Sequence, residues 1–233
     1  MAIAYVQTAK NQATTTSLNV SLTGVVAGNT LILWVGKYGD TFSGSSVSGG
    51  GATWTKRASN LQTGPSNSQG CEIWEGHGTT GGSITVTLTS SGSADIAIVI
   101  GEFSGLQSPA YDVSANASSG GSGSTSPDSG ATSSLAQADE LVISCDSHAD
   151  GDTTNVPRSG DGFTQLSDYA NGSLTAVVGA AYKIVSSASA VSGRWTTGAS
   201  ANWSACVAAF KAAGGGGAAV PVFTNNLTTQ GMA

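Results

Sequence analysis

The chain reads as an all-β protein, an antiparallel β-sandwich of two similar halves, on three observations. Runs rich in Val, Ile, Thr and aromatic residues recur about every 8–15 residues, separated by Gly, Ser, Asn and Asp clusters, which is the spacing of sandwiches and barrels. No window carries a 3.6-residue apolar stripe with capping residues at its ends. Finally, the segment 2–105 recurs strand by strand over 106–213. Ala94–Phe103 matches Ala201–Phe210 at an offset of 107 and Trp74 matches Tyr182 at 108. Trp54-Thr55 matches Phe163-Thr164 at 109 and Leu31–Leu33 matches Leu141–Ile143 at 110. A drifting offset, absorbed at loops, is what a duplicated β-module produces. Two copies are too few for a solenoid or propeller. The expectation is one large sandwich with interleaved halves, because the joint Phe103–Tyr111 is short and partly apolar; two tandem sandwiches are the alternative.

In the first half, strands are expected near 3–8, 16–23, 30–37, 53–59, 70–75, 83–89 and 94–103. The N-terminal residues run directly into the first of these. In the second, Leu18, Val20 and Leu22 alternate with Ser17, Asn19 and Ser21; near 83–89, Ile84, Val86 and Leu88 alternate with Thr85, Thr87 and Thr89. Each has one face for the core and one for water. Leu31-Ile-Leu33 opens the third, and Trp54, Cys71 and Trp74 mark the fourth and fifth. The last is apolar on both faces, with Ile96, Ile98 and Ile100 on one and Ala97, Val99 and Phe103 on the other. It must be a central strand, its second face covered by a loop, the other half or another subunit.

In the second half, strands are expected near 111–116, 124–126, 139–146, 163–167, 174–185, 192–196 and 201–211. The Ser/Gly-rich segment 118–134 corresponds to the Asn11–Thr23 region, so it reads as a long loop plus a weak edge strand rather than a linker. Gly214–Gly217 ends the sandwich. Residues 214–233 then have no counterpart in the repeat and read as a glycine hinge and an extended arm, with Val220, Val222 and Phe223 as apolar anchors for a neighbouring subunit.

Charged residues make up 9% of the chain, against roughly 25% in ordinary soluble domains, and polarity comes from hydroxyls, Asn and Gly instead. Such surfaces suit secreted, cell-surface and virion proteins. A net charge of −6 without any Lys/Arg cluster argues against nucleic acid and against a basic membrane-surface patch as partners. No apolar run approaches a transmembrane helix in length. The start, Met1-Ala-Ile-Ala-Tyr-Val, has no export-signal pattern, which directs the expectation to a virion component, with a fragment of a secreted protein as the alternative. Cys71, Cys145 and Cys206 lie in apolar runs without metal-ligand spacing and are expected as reduced thiols, a Cys145–Cys206 bridge remaining open.

Signals for catalysis are poor. There is no Gly-x-Ser-x-Gly elbow, and the two histidines, His77 and His148, fall in expected turns. Glu72 and Glu75 would point to opposite faces of one strand, so they do not form the close carboxylate pair of a retaining glycosidase. No catalytic residue and no cofactor is expected. Asp146, His148, Asp150 and Asp152 alternate around a glycine as calcium ligands do, although the bidentate acid expected further on is replaced by Pro157. Most tryptophans read as core. Trp195, beside Arg194 in an amphipathic run, is expected to be exposed and is the candidate glycan contact.

Ala27-Gly-Asn-Thr-Leu-Ile-Leu33 with Ala136-Gln-Ala-Asp-Glu-Leu-Val-Ile143, the Trp-Thr or Phe-Thr pair, and Ala180-Ala-Tyr-Lys183 form a repeated line. It resembles β-sandwich modules of phage virion proteins and of bacterial secreted multidomain proteins. The resemblance covers most of residues 2–211 and concerns core positions. It implies a jelly-roll or concanavalin-like, lectin-like sandwich serving decoration, adhesion or scaffolding, and carries over no catalytic residue. The resulting expectation is a non-enzymatic structural protein of the virion surface, meeting other virion subunits as a homo-oligomer or in a capsid or tail lattice. The alternative is a carbohydrate-binding adhesion module.

Overall fold

The computed structural model describes residues 2–39, 44–63, 68–148, 154–169 and 176–214. They form fourteen strands and no helix. The first half holds β1 (Ala4–Val25), β2 (Thr30–Tyr38), β3 (Ser45–Gly49), β4 (Thr53–Thr63), β5 (Ser68–His77) and β6 (Gly82–Ser104). The second holds β7 (Leu106–Ser118), β8 (Asp128–Ala131), β9 (Asp139–His148), β10 (Asn155–Pro157), β11 (Thr164–Tyr169), β12 (Val178–Ser186), β13 (Ser192–Thr197) and β14 (Trp203–Ala212).

Two large antiparallel sheets dominate. One has the order β1-β6-β2-β5-β4, with β3 also on β6; the other has the order β11-β12-β9-β14-β7. Each takes its strands from one half of the chain, so the halves do not interleave within a sheet. They meet face to face instead. β5 packs on β14, β2 on β9, β4 on β7 and β1 on β11. A third sheet, β10-β13-β8, covers the outer face of the second large sheet. In the first half the same cover is made by bending. β1 and β6 pair along nearly their whole length, but between Thr15↔Ala94 and Ser17↔Thr89 the register skips Ser90–Ser93. That wide bulge turns the ribbon, and its far end pairs with β3 as an outer layer.

The central ladders of the two sheets repeat at one spacing. Trp34 lies opposite Ile73 and Val99; Ile143 lies opposite Tyr182 and Ala208. Each residue of the second set is 109 positions after its counterpart. The drifting offsets read from sequence are therefore slips of one or two residues along three strands. A one-residue slip changes the face. Trp74 points to the outer layer, and the residue 109 positions on is Lys183, whereas Tyr182 faces the other large sheet.

Three apolar cores follow. Leu18, Leu33, Trp74, Val86, Ile98 and their neighbours fill the space between the first large sheet and its outer layer. Leu135, Val142, Val191 and Val207 do the same in the second half. The largest core lies between the large sheets, where Ile32, Trp34, Val99 and Phe103 meet Ile143, Val178, Ala208 and Phe210. The two-sided apolarity of 94–103 is thus explained by the other half of the chain. Trp34 is fully buried there and its Nε1 donates to the Ser144 carbonyl across the interface at 2.9 Å. Tyr5, Phe103 and Tyr182 pack beside it with ring centroids 5.4–5.9 Å apart.

Gly36 sets how closely the sheets approach. A Cβ at this position would lie 2.6 Å from the Val177 carbonyl oxygen and 2.9 Å from the Val178 Cβ. Gly36→Ala is accordingly expected to destabilise the protein by about 1–3 kcal/mol through overpacking. Urea unfolding measures this, and an unchanged midpoint would show that the sheets are less tightly apposed than described.

Candidate functional site

Beyond the apolar part of each sandwich, on its inner face, the side chains turn polar at equivalent places. Lys37 lies opposite Gly70 and Ile96, and Asp146 lies opposite Gly179 and Ala205, again 109 positions apart. Both are buried, and both face the short strand of the covering layer, β3 or β10. A charge in such a place must be paired or hydrogen-bonded.

In the first half the partner is Glu72, projected from β5 on the same face as Trp74. Its Oε1 accepts from Lys37 Nζ at 3.4 Å, Lys56 Nζ at 2.9 Å and Ser45 Oγ at 3.0 Å, and its Oε2 accepts from Trp74 Nε1 at 2.8 Å. Lys37 Nζ also donates to Ser45 Oγ. Burial pushes the Glu72 carboxyl up, but Lys37 and Lys56 outweigh it and hold the group below its ordinary value. Burial lowers Lys37, and Glu72 only partly restores it. A cavity of about 100 Å³ opens beside the cluster, lined by Lys37, Lys56, Asn60, Leu61 and Glu72 among others. Ligand pockets typically span roughly 300–1,000 Å³, so this one takes at most a small ion or a few waters. A carboxylate accepting four donors is poorly placed to act as a base or nucleophile; the cluster closes the sandwich.

In the second half, His148 and Asp146 pair through Nδ1 and Oδ2 at 3.0 Å, both buried. Burial raises the Asp146 carboxyl above its usual range although His148, Asn155 and the Ser147 amide oppose this. His148 ends β9 inside the fold rather than in a surface turn. Two of the four candidate calcium ligands are thus brought together, but in the interior; Asp150 and Asp152 lie outside the described residues. Among the described residues no three His, Cys, Asp or Glu side chains converge on a metal position.

Glu75 points to the other face of β5, as the alternation requires. Its Oε2 accepts from Arg57 Nε at 2.7 Å and its Oε1 from the Ala110 amide at 2.5 Å, while Arg57 stacks 4.9 Å over the Tyr111 ring. This pair joins β4 and β5 to β7, and Glu72 and Glu75 share no cleft.

Trp195 corrects the expectation of an exposed glycan platform. It is 1% exposed, its Nε1 donates to Ser144 Oγ at 2.8 Å, and its ring lies over Gly179, where a Cβ would come within 2.7 Å. Arg194 is the residue that points outward, paired with Asp161 at 2.8 Å through Nε. The parity was in the sequence: Trp195 shares its face with Val191 and Gly193, whereas Arg194 shares its own with Ser192. Val220, Val222 and Phe223 lie outside the described residues.

A cavity of about 380 Å³ lies elsewhere, at the end of the described chain, among Ala2, Ile3, Asp139, Ile184, Ala212, Ala213 and Gly214. Among the described residues Asp139 is its one charged lining residue, so the roomier cavity and the charged cluster do not coincide. No family model, curated protein or solved structure matches the chain.

Two titrations test this description. Glu72→Gln leaves Lys37 without its buried counter-charge and is expected to cost about 3 kcal/mol at neutral pH. Because the folded carboxyl is held low, the advantage of the wild type exists above the ordinary carboxylate range and disappears as pH falls through the folded value. Glu140 behaves oppositely. Burial, reinforced by Asp112, pushes its carboxyl up to about 7, so its contribution is full below the ordinary range and is lost as pH rises through the folded value. Glu140→Gln should gain on the wild type by about 1–2 kcal/mol between roughly pH 5 and 8, after allowance for screening. Denaturant melts from about pH 2 to 8 read both trends, Glu72 below and Glu140 above the ordinary carboxylate range; a flat difference in either series over that span contradicts the assignment.

Proposed function

We propose that the chain is a non-enzymatic structural module, a virion surface or decoration protein that assembles with capsid or tail subunits or with further copies of itself. The observation that carries this reading is the edge presented by β1. β1 ends its sheet and pairs with β6. Along Ala4–Thr15 its side chains are exposed or half-buried, and Val6 stands 42% exposed. A long edge of this kind offers backbone donors and acceptors to an added strand. The low charge of the chain and the Thr and Ser side chains along β1 and β6 support a surface role. In the interior Lys37 pairs with Glu72, Arg57 with Glu75 and His148 with Asp146, which supports a scaffold more than a reaction centre.

In this reading the segment after Gly214, with Val220, Val222 and Phe223, is the strand donor. Burying three such side chains contributes roughly 1.5–3 kcal/mol each. Ordering about 15 residues costs about 1 kcal/mol or more apiece, so backbone pairing must supply the remainder, and β1, which ends its sheet among the described strands, offers it. The expected outcome is concentration-dependent self-association of the full chain in analytical ultracentrifugation, lost on truncation after Ala213 while the circular dichroism spectrum stays that of a β-protein. Equal sedimentation of the two forms at every concentration would overturn the reading.

A further inference from the structure

The three cysteines, far apart in sequence, meet in the core between the large sheets. Cys71 belongs to β5, Cys145 to β9 and Cys206 to β14, and all three are completely buried. The Sγ atoms of Cys71 and Cys206 are 2.9 Å apart across the sheet interface. Cys145 contacts the Cys71 thiol and lies directly opposite Cys206 on the neighbouring strand.

Packing alone does not account for this. The positions 109 residues from Cys71, Cys145 and Cys206 in the repeated ladder are Ala180, Gly36 and Ala97. The interface therefore needs small side chains at all six places, and Ala or Gly satisfies that need. Sulfur occurs at one member of each pair, on the three residues that converge.

We propose that Cys71 and Cys206 form a disulfide joining the two halves when the chain folds in an oxidising environment, with Cys145 remaining a thiol. Each cysteine loses its S–H proton, one S–S bond forms, and two electrons pass to a small-molecule disulfide such as oxidised glutathione, which is cleaved to two thiols. The reaction runs in two exchanges: one thiolate opens the small disulfide, and the second cysteine displaces it. In the closed protein, burial raises the thiols well above their ordinary value at Cys71 and Cys145, and no oxidant reaches them. Bridging therefore belongs to folding, before the sheets close on one another. Asp146 acts in the same direction as burial on Cys71, and Asp146 and Glu72 do so on Cys206, so the closed core favours neutral sulfur over thiolate.

The test refolds the denatured, reduced chain with reduced and oxidised glutathione, alkylates it with iodoacetamide in denaturant, and measures intact mass and linked peptides. The expected product carries one alkyl group and a Cys71–Cys206 linked peptide, and its urea midpoint falls when a reductant is added. Cys145→Ala should retain the bridge with no alkyl group. Native protein reduced before oxidant is added should give three alkyl groups. Three alkyl groups after oxidative refolding overturn the proposal, as does a Cys145–Cys206 bridge. A stoichiometric metal ion retained by three free thiols overturns it as well, in favour of a metal site.

Discussion

The apposition of the two large sheets is the constraint on which the rest of the molecule depends. Neither half can expose Ile32, Trp34, Val99 and Phe103, or Ile143, Ala208 and Phe210, to water without losing the burial that stabilises a sheet of this size. Each half therefore serves as the second face of the other. The contact is specified as well as apolar. Trp34 reaches the Ser144 carbonyl, Ser204 Oγ reaches the Gln69 carbonyl at 3.2 Å, and Gly36 leaves room for the backbone at Val177. Along the flank, Arg57, Glu75 and the Ala110 amide tie β4 and β5 to β7. The short Phe103–Tyr111 connection suits this arrangement, because β7 begins almost where β6 ends.

Outside that interface each sheet needs a cover, and the halves provide it differently. The first half bends one long ribbon back over its own sheet. The second interrupts the same path, so that β8, β10 and β13 form a separate small sheet. Beneath both covers the inner face changes from aliphatic to charged at the same register, with Lys37 on one side of the molecule and Asp146 on the other. Opposite charges at corresponding register positions show that both halves place a buried polar group beneath the cover. The first half fills that place with a Lys–Glu network and the second with an Asp–His pair.

That economy bears on function. The buried pairs Lys37–Glu72, Arg57–Glu75 and Asp146–His148 hold strands and layers together, while much of the surface is hydroxyls, amides and the backbone of sheet edges. Groups of this kind recognise by shape and by strand addition. The burial of Trp195 follows from the same logic: a tryptophan on β13 either fills the gap above Gly179 or leaves that glycine over a void.

Much of the architecture was legible because strand periodicity is a local signal. Leu18-Asn-Val-Ser-Leu22, Ile84–Thr89 and the two-sided run Ile96–Phe103 declare their faces without any knowledge of partners. What sequence could not decide was register, since a slip of one residue leaves an alternating pattern intact while exchanging its faces; hence Trp74 was matched to Tyr182 rather than to Lys183. It could not show that Ser90–Ser93 is a bulge within one strand, nor find β3 and β10, whose Ser-Ser-Val-Ser-Gly and Asn-Val-Pro are ordinary turn compositions. Lys37, Glu72, Lys56 and Ser45 carried no motif, because their association is made across four strands by residues 8 to 35 positions apart. The sequence by itself determined most of the strands and, where polar and apolar residues alternate cleanly, their faces, because these follow from side-chain alternation along one chain segment. Tertiary structure alone decided which faces met, which charges were plugged and which three thiols came together, because these depend on how layers stack.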